Sequence, residues 1–222
     1  MSPLHDLGIG FILDDRGRIV STREPEPRSG PRFILIRDAS RCTWALHAEV
    51  SDEVAAKVTA LAADEPPEPD PRVQPRHERA YLELLGGHAE SGPNFVFPDG
   101  ELVCDHDISI IDQLAPLERH FTGWTASELP ERSPIMAIVV DGAPVSVCFC
   151  SRLADRAAAA GVDTAAAFRQ RGFAAAVTAA WATAIRASGR VPLYSTTWDN
   201  AGSLGVARKL GLVCTTSFWN VA

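Results

Sequence analysis

The 222-residue sequence lacks several features that would assign it to a class at once. No apolar run approaches the roughly 20 residues that a membrane-spanning helix needs, so we expect no membrane partner. The N-terminus MSPLHDLGIGFILDD has no basic segment before its apolar residues, and we expect no secretory signal there. Neither G-x-G-x-x-G nor G-x-x-x-x-G-K-[ST] occurs, which argues against the common dinucleotide and P-loop sites.

Cysteine is also scarce, and its pattern is uninformative. The five cysteines are odd in number and form no C-x-x-C pair, so a disulfide framework or a zinc site is not indicated. The cysteines are Cys42, Cys104, Cys148, Cys150 and Cys214. We interpret them as reduced thiols of a cytoplasmic protein, mostly packed in the core, and we expect no metal ligand among them.

Charge is spread unevenly along the chain. The net charge is −7, yet residues 164–222 carry six basic side chains against one acidic side chain, for a net charge of +5. A basic C-terminal quarter on an acidic protein favours a local anionic ligand. It argues against nucleic-acid binding, which requires a broad basic face.

The first half of the chain reads as an α+β unit. Two acidic, proline-rich stretches, 21–31 and 64–77, predict loops or linkers because proline disfavours helix interiors and central strands. The remaining segments predict a hairpin in GFILDDRGRIVS, strands in RFILIRD, RCTWALHAEV and NFVFPDGELV, and helices in DEVAAKVTALAA and ERAYLELLGG. We find no catalytic constellation in residues 1–99, and this region is predicted as a unit separate from residues 100–222.

The second half shows a more regular alternation of elements. DHDISIID predicts a strand, and QLAPLERHF and TASELPER predict short helices. The residues 134–152 predict a hairpin that turns at Asp141-Gly142, a favoured tight-turn pair. After it, the pattern predicts a strand at 157–164, a helix at 172–188, a strand in VPLYSTT, a helix in NAGSLGVARKLG and a last strand in VCTTSFWNV.

The stretch RQRGFA, residues 169–174, lies where a predicted strand gives way to a predicted helix. The first turn of a helix carries unpaired N–H groups and a partial positive charge, and Gly172 and Ala174 would let phosphate oxygens approach the backbone. Arg169 or Arg171 would add charge-assisted hydrogen bonds. The hexapeptide by itself is more typical of two surface arginines before an ordinary helix.

The order of elements around this stretch resembles the second half of the GNAT superfamily of acyl-CoA-dependent N-acyltransferases. The resemblance rests on Val162, on Arg169 to Ala174 as an [RQ]-x-x-G-x-[GA] loop, and on the segment YSTTWDNAGSLGVARKLGL, residues 194–212. The motifs cover residues 157–222, and the order of elements extends the resemblance to about residue 100. It implies an α/β fold with a mixed, mostly antiparallel central sheet flanked by helices, preceded by the N-terminal α+β region.

The resemblance also implies a donor and its binding residues. Backbone N–H groups of the loop would hold the pyrophosphate of acetyl-CoA, the strand would bind the pantetheine arm, and the start of the last helix would contact the same arm. The cofactor-binding residues implied are Val162, Arg169, Gln170, Arg171, Gly172, Phe173, Ala174, Asn200 and Ser203. Asn200 is also a good helix N-cap, and the two roles are compatible.

The sequence departs from the family in its catalytic groups. Many members have a tyrosine, proposed as general acid, where this chain has Ala207. A thiol with a pKa near 8.5 leaves without much assistance, but a lysine-like acceptor with a pKa of about 10.4 must lose a proton. Glu118, His120, Glu131 and Asp155 are nearby in sequence, and each is more typical of a surface position. The catalytic residues therefore stay unassigned.

These observations predict a cytoplasmic N-acetyltransferase that moves an acetyl group from acetyl-CoA to a primary amine, on a small molecule or a peptide, by direct transfer in a ternary complex. The N-terminal region would shape the acceptor side or an interface, or be a degenerate second copy of the fold. The alternatives are a non-catalytic acyl-CoA-binding or interaction module, and a protein that binds another phosphorylated ligand at the 169–172 loop. A homodimer is left open.

Overall fold

A computed structural model describes residues 3–222, so that Met1 and Ser2 lie outside the described residues. The strands are β1 (Phe11–Leu13), β2 (Ile19–Thr22), β3 (Phe33–Arg37), β4 (Cys42–Leu46), β5 (Ala89–Val96), β6 (Ser109–Ile111), β7 (Ile135–Val140), β8 (Ala143–Leu153), β9 (Ala157–Thr164), β10 (Val191–Ser195) and β11 (Val213–Val221). The α-helices are α1 (Leu7–Gly10), α2 (Asp52–Ala63), α3 (Glu78–Leu85), α4 (Leu129–Arg132), α5 (Phe173–Ala187) and α6 (Ala201–Lys209). Short 3₁₀ turns occupy Pro3–His5, Ala126–Glu128 and Ala166–Phe168.

Local chemistry explains where the main elements begin and end. The hydroxyl of Ser51 accepts the Val54 N–H and caps helix α2, whereas Gly86, at a φ of 69°, ends helix α3. The β7–β8 hairpin turns through Asp141 and Gly142, both with positive φ, as a tight hairpin turn requires. These boundaries match the sequence pattern closely.

Nine strands form one sheet in the order β4-β3-β11-β5-β10-β9-β8-β7-β6, and β1 and β2 form a separate hairpin. All neighbouring pairs in the nine-stranded sheet are antiparallel except β9 and β10, which are parallel. The predicted fold class, a mixed and mostly antiparallel sheet flanked by helices, is confirmed.

Strand β5 has an unexpected place in this sheet. It comes from the N-terminal region, yet it lies between β10 and β11, which are the last two strands of the chain. It pairs with both of them. Strand β11 in turn pairs with β3 on its other side. The two halves of the chain thus share one sheet, and the division at residue 99 stays a prediction.

The sheet packs against different elements on its two faces. One face carries α5, whose Val177 and Trp181 are fully buried, and also α2 and α3, which cover Leu35 and Trp219. Because side chains alternate along a strand, Ile34 and Ile36 point to the opposite face, where they pack with Phe11 of the β1–β2 hairpin. The hydrophobic cores of both halves of the chain are therefore built on the same sheet.

Two sequence predictions in the middle of the chain need correction. The segment QLAPLERHF forms a series of turns rather than a helix. Pro116 has no N–H and disfavours helical backbone at the residue before it, and the segment forms isolated bonds such as Leu117 N–H to Leu114 O and Phe121 N–H to Leu117 O rather than a continuous helix. The strand predicted over 105–112 is limited to Ser109–Ile111. Within residues 3–222, no helix combines the length and hydrophobicity needed to cross a membrane.

Candidate functional site

Strands β9 and β10 separate from each other partway along their length. Their parallel pairing runs only from Val191↔Ala157 to Leu193↔Ala159. Beyond that point β9 continues to Thr164, paired with β8 alone, while β10 follows β5. The edge of β9 around Val162 therefore faces an opening, which we call the cleft. Main-chain groups along such an edge can bind an extended ligand as an added strand would.

The loop between β9 and α5 has an unusual backbone at the position that the sequence singled out. Gln170 and Gly172 have positive φ, 61° and 84°, on either side of Arg171. Alternation of left-handed and right-handed residues turns successive N–H groups toward one point and forms a nest for anions. The positive φ at Gly172 favours glycine there.

The N–H groups of this loop are free to bind a ligand. Within residues 3–222, the amides of Gln170, Arg171 and Gly172 donate to no backbone or side-chain acceptor. Phe173 and Ala174 open the first turn of α5, where N–H groups have no intrahelical acceptor. The start of α5 also has no acidic side chain in its first turn. The arrangement is suited to binding an anion at the positive end of a 15-residue helix.

Three basic side chains surround the loop. The Arg169 Nε donates to the carbonyl oxygen of Thr164 at 3.1 Å, and the Arg171 guanidinium lies 5.1 Å from the ring centre of Phe168. Lys209, at the end of α6, comes so close that a Cβ added at Gly172 would lie 2.5 Å from its Nζ. Sequence reasoning missed Lys209 as a site residue, although it lies within the motif ARKLG.

Asn200 and Ser203 lie toward the other end of α6, about 13 Å and about 9 Å from Lys209 along the helix axis. The Asn200 Oδ1 accepts the Ser203 N–H at 3.0 Å, so Asn200 is the helix N-cap. The Ser203 Oγ is 2.6 Å from the hydroxyl of Tyr194 on β10. The two predicted residues are thus brought together with each other, but not with the 169–174 loop.

Tyr194 places a hydroxyl on the face of α6 where the family's tyrosine is replaced. Ala207, 2% exposed, lies one turn from Ser203 on the same face of the helix and belongs to the same buried cluster as Tyr194. Burial raises the pKa of the Tyr194 phenol, and the hydrogen bond to Ser203 offsets part of that shift. The phenol therefore stays protonated at neutral pH and can donate a proton.

A cavity of about 310 Å³ opens where β9 and β10 separate, on the face of the sheet opposite α5. The N-terminal region supplies ten of its lining residues, which are Leu4, Asp6, Leu7, Ile9, Gly10, Phe11, Ile34, Ile36, Glu90 and Asn94. The second half of the chain supplies Arg152, Ala159, Leu193, Tyr194, Ser195, Thr196, Thr197, Phe218 and Asn220. The cavity can thus receive a ligand next to one bound in the cleft.

The polar groups of this cavity are ones that the sequence did not reveal. Glu90, Asn94 and Asn220 come from the paired strands β5 and β11. Glu90 lies in the segment GHAESGP, which we did not predict as strand, so its position on the sheet was hidden. The four residues considered from the sequence, Glu118, His120, Glu131 and Asp155, do not line the cavity in the part of the chain that the structure describes.

The cysteines and tryptophans near the cleft have structural environments. Cys148 and Cys150 are fully buried beneath α5, and burial raises the pKa of both thiols, that of Cys150 to about 11. The prediction that they are core residues is confirmed. Trp219 is buried against Phe33 and Tyr81, and Trp198 stacks under the guanidinium of Arg72. Neither tryptophan is among the cavity-lining residues.

Comparisons with known proteins address the family and the fold. Residues 135–219 match the family model described as GNAT acetyltransferase. A comparison with curated proteins finds no match. Among solved structures, the chain is similar to a GCN5-related N-acetyltransferase-like protein from Streptococcus suis, with 16% identity, coverage of 87% of this chain and 85% of that one, and a TM-score of 0.51.

Two other solved structures are similar to the chain to the same degree. A GNAT-family acetyltransferase from Colwellia psychrerythraea has 15% identity, coverage of 81% of this chain and 75% of that one, and a TM-score of 0.51. A GCN5-related N-acetyltransferase from Sphaerobacter thermophilus has 12% identity, coverage of 94% and 78%, and a TM-score of 0.52. At such identities the likeness concerns the fold, and the family model supplies the assignment. The C-terminal half of the chain, at residues 135–219, therefore contains a GNAT acetyltransferase domain, as the sequence resemblance predicted.

Proposed function

We propose that the protein is an acetyl-CoA-dependent N-acetyltransferase that transfers the acetyl group directly to a primary amine within a ternary complex. The observation that carries this proposal is the loop before α5, where unbonded N–H groups from Gln170 to Ala174 converge beside Arg169, Arg171 and Lys209. A pyrophosphate group matches this loop in charge and in the number of acceptors.

The pantetheine arm would run along the free edge of β9 and hydrogen-bond the main chain near Val162. Asn200 and Ser203, at the start of α6, would lie beside the same arm, because α6 extends from them to Lys209 next to the loop. The thioester would then reach the point where the pairing of β9 and β10 ends, at Ala159 and Leu193. This point borders the cavity.

The chemistry requires an amine that has lost its proton. The free amine attacks the thioester carbonyl, a C–N bond forms, the C–S bond breaks, and coenzyme A leaves as the thiolate. The surplus proton of the ammonium passes to water or to a carboxylate of the cavity. Tyr194 is the residue best placed to return a proton to the thiolate, since its phenol is protonated at neutral pH and contacts the start of α6.

The N-terminal region would form the acceptor side of the site, because it supplies the residues that close the cavity. We place the protein in the cytoplasm, and the five free cysteines are consistent with a reducing compartment. The acceptor is an amine on a small molecule or a peptide.

Thermal unfolding with and without acetyl-CoA tests the donor site, with ATP and NAD as controls. At a concentration of about a hundred times its dissociation constant, a ligand adds about 2.7 kcal/mol, which predicts a rise of roughly 5–10 °C for a chain of this size. Gly172→Glu should abolish the rise. Gly189→Glu is the matched control, because Gly189 also has positive φ, 80°, at the far end of the same helix, with open space around it. No rise with acetyl-CoA, or an equal rise with ATP, would refute the proposal.

The replacement of the family's tyrosine by Ala207 favours a second candidate, a non-catalytic acyl-CoA-binding module. It predicts the same thermal shift with acetyl-CoA. It differs in that no amine would then release the free thiol of coenzyme A, which a thiol-reactive dye detects. Loss of thiol release in Tyr194→Phe, with acetyl-CoA binding retained, would support the enzyme and its tyrosine.

A further inference from the structure

The cavity has two ends that differ in chemistry. Its near end lies at the separation of β9 and β10, where Asn94 pairs with Ser195. Its far end contains Glu90, which is paired across the strands with Asn220. Four residues of strand separate Asn94 from Glu90, a distance of about 13 Å. The cavity is therefore longer than a single amino group requires.

Much of the lining between these two ends is apolar, although the backbone carbonyl oxygen of Thr196 lies against Gly92, between Asn94 and Glu90 on β5. The apolar surface is formed by side chains on this face of the sheet and by side chains of the N-terminal segment. They are Leu7, Ile9, Phe11, Ile34, Ile36 and Phe218. Such a surface binds methylene groups and excludes charge. A ligand that spans the cavity must therefore be apolar in its middle.

The far end offers hydrogen-bond acceptors of the kind an ammonium group binds. Within residues 3–222, the exposed carboxylate of Glu90 forms no hydrogen bond or ion pair, and the Oδ1 of Asn220 is buried with no hydrogen-bond partner. A buried acceptor without a donor costs about 1–3 kcal/mol, which a ligand with N–H groups would recover. A carboxylate beside that oxygen selects a cation.

The near end also offers a hydrogen-bond acceptor to an amine. Asn94, 9% exposed, donates its Nδ2 to the Oγ1 of Thr216 at 3.0 Å. This bond uses one of the two N–H groups of the amide, and the carbonyl oxygen is able to accept from a ligand. An amine nitrogen that approaches the acyl carbon would thus meet an acceptor at this end as well.

The other charged side chains among the described lining residues are Asp6 and Arg152. Arg152 is paired with Glu24, with 2.8 Å between Nη2 and Oε1, whereas its Nε is buried with no hydrogen-bond partner among residues 3–222. Asp6 uses its Oδ1 to accept the Gly8 N–H at the start of α1. The two carboxylates of Asp6 and Glu90 outnumber the one guanidinium, which Glu24 already pairs, and this balance of charge favours a cationic ligand.

We propose that the acetyl acceptor is a linear aliphatic diamine or polyamine, whose reacting amine lies near Asn94 and whose second ammonium group binds to Glu90 and Asn220. This inference rests on the proposed function for the reaction, but the recognition of the second ammonium depends on the cavity alone. The volume of about 310 Å³ is at the small end of the range of ligand pockets, about 300–1,000 Å³, and suits such a molecule.

Three probes of equal length separate the alternatives. Diaminoheptane, heptylamine and aminoheptanoate, with their functional groups at the chain ends, differ only in the group that would reach the far end. Calorimetric titration of the full chain without acetyl-CoA should show diaminoheptane binding at least 10-fold more tightly than heptylamine. Equal binding of the two, or tightest binding of aminoheptanoate through Arg152, would overturn the proposal.

Substitutions then locate the second ammonium group. Glu90→Gln keeps the shape of the side chain and removes its charge, and it should reduce diaminoheptane binding about 10-fold, to the level of heptylamine. Glu101→Gln is the matched control, because Glu101 is exposed and does not line the cavity. Loss of the diamine preference in the control, or its retention in Glu90→Gln, would contradict the assignment. Thermal unfolding of each variant without ligand confirms that it is folded.

The two proposals fail in different ways. If acetyl-CoA gives no thermal shift while diaminoheptane binds in a Glu90-dependent manner, the proposed function is wrong and the amine site stands. If acetyl-CoA binds and heptylamine is acetylated as readily as diaminoheptane, the acceptor assignment alone is wrong.

Discussion

The two walls of the site are built in different ways. Most of the wall that would hold the donor comes from one continuous stretch, residues 157–174, which contains strand β9, the loop and the start of α5, and helix α6 completes it. The cavity on the opposite face is assembled from six separate segments, from Leu4 near the N-terminus to Asn220 near the C-terminus. A phosphate site can be encoded locally because it needs a backbone shape, whereas a pocket for an amine needs side chains that only the tertiary fold brings together.

Removal of residues 1–99 should have the largest effect on this comparison. If the continuous stretch were sufficient, residues 100–222 would fold and bind acetyl-CoA alone. We expect instead that this fragment does not fold, because it lacks β5 and leaves β10 and β11 without their shared neighbour. Circular dichroism and thermal unfolding of the fragment test this, with the full chain as control. A cooperative transition in the fragment would contradict the expectation.

A methyl group added at Gly92 should weaken the junction between the two walls, where β5 packs against the segment that follows β10. A Cβ added there would collide with the backbone carbonyl oxygen of Thr196, which follows β10. Overpacking against backbone typically costs about 1–3 kcal/mol, so Gly92→Ala should lower the free energy of unfolding by at least this amount. Gly10→Ala is the matched control, because a Cβ at Gly10 meets no atom within 4 Å. Equal denaturant midpoints for the two variants would show that the junction is not tightly packed.

Lys209 is the one basic group of the donor wall that lies outside the continuous stretch. Its Nζ lies over Gly172, so Lys209→Ala should weaken acetyl-CoA binding about 10-fold, equivalent to about 1.4 kcal/mol, and reduce the salt dependence of binding. Arg208→Ala removes the neighbouring exposed charge and serves as control. An equal loss in both variants would indicate a general electrostatic effect rather than a contact with the phosphates.

The smallest expected effect concerns the pH dependence of stability. It arises from His5, in the segment that covers the cavity. His5 is buried, its two ring nitrogens lie 2.9 Å from Thr43 Oγ1 and 2.8 Å from Asp38 Oδ2, and burial lowers its pKa below 6.5 although Asp38 opposes the shift. Below pH 6.5 the unfolded chain therefore binds a proton that the folded chain does not. Stability should fall as the pH decreases from 7 through the lowered pKa of His5, by less than about 1.4 kcal/mol per pH unit.

His5→Gln should remove this part of the pH dependence, because glutamine does not titrate. Denaturant unfolding at several pH values between 5 and 7 measures the slope for both proteins. His88→Gln, at an exposed position, is the control. An unchanged slope in His5→Gln would assign the pH dependence to other groups.

The features that could be predicted from the sequence are again those that are encoded locally. The helix over Asp52–Ala63, the strand over Ala157–Thr164 and the 169–174 loop could be predicted because periodicity, capping residues and glycine positions are local signals. The segment QLAPLERHF was predicted wrongly, because its apolar spacing outweighed the restriction that Pro116 imposes. The place of β5 between β10 and β11 has no local signal, and for this reason Glu90 and Asn94 could not be recognised as cavity residues.

The place of β5 has a consequence for how the protein is made. During synthesis, β5 leaves the ribosome roughly a hundred residues before β10 and longer still before β11, its two partners in the sheet. At about 5–20 residues per second, it waits about 5–20 s with both hydrogen-bonding edges unpaired. Pro93 near its centre removes one donor, and Glu90 adds a charge, two features that oppose pairing with other chains. The carboxylate that we assign to amine recognition would thus also protect the nascent chain from aggregation before its partner strands are available.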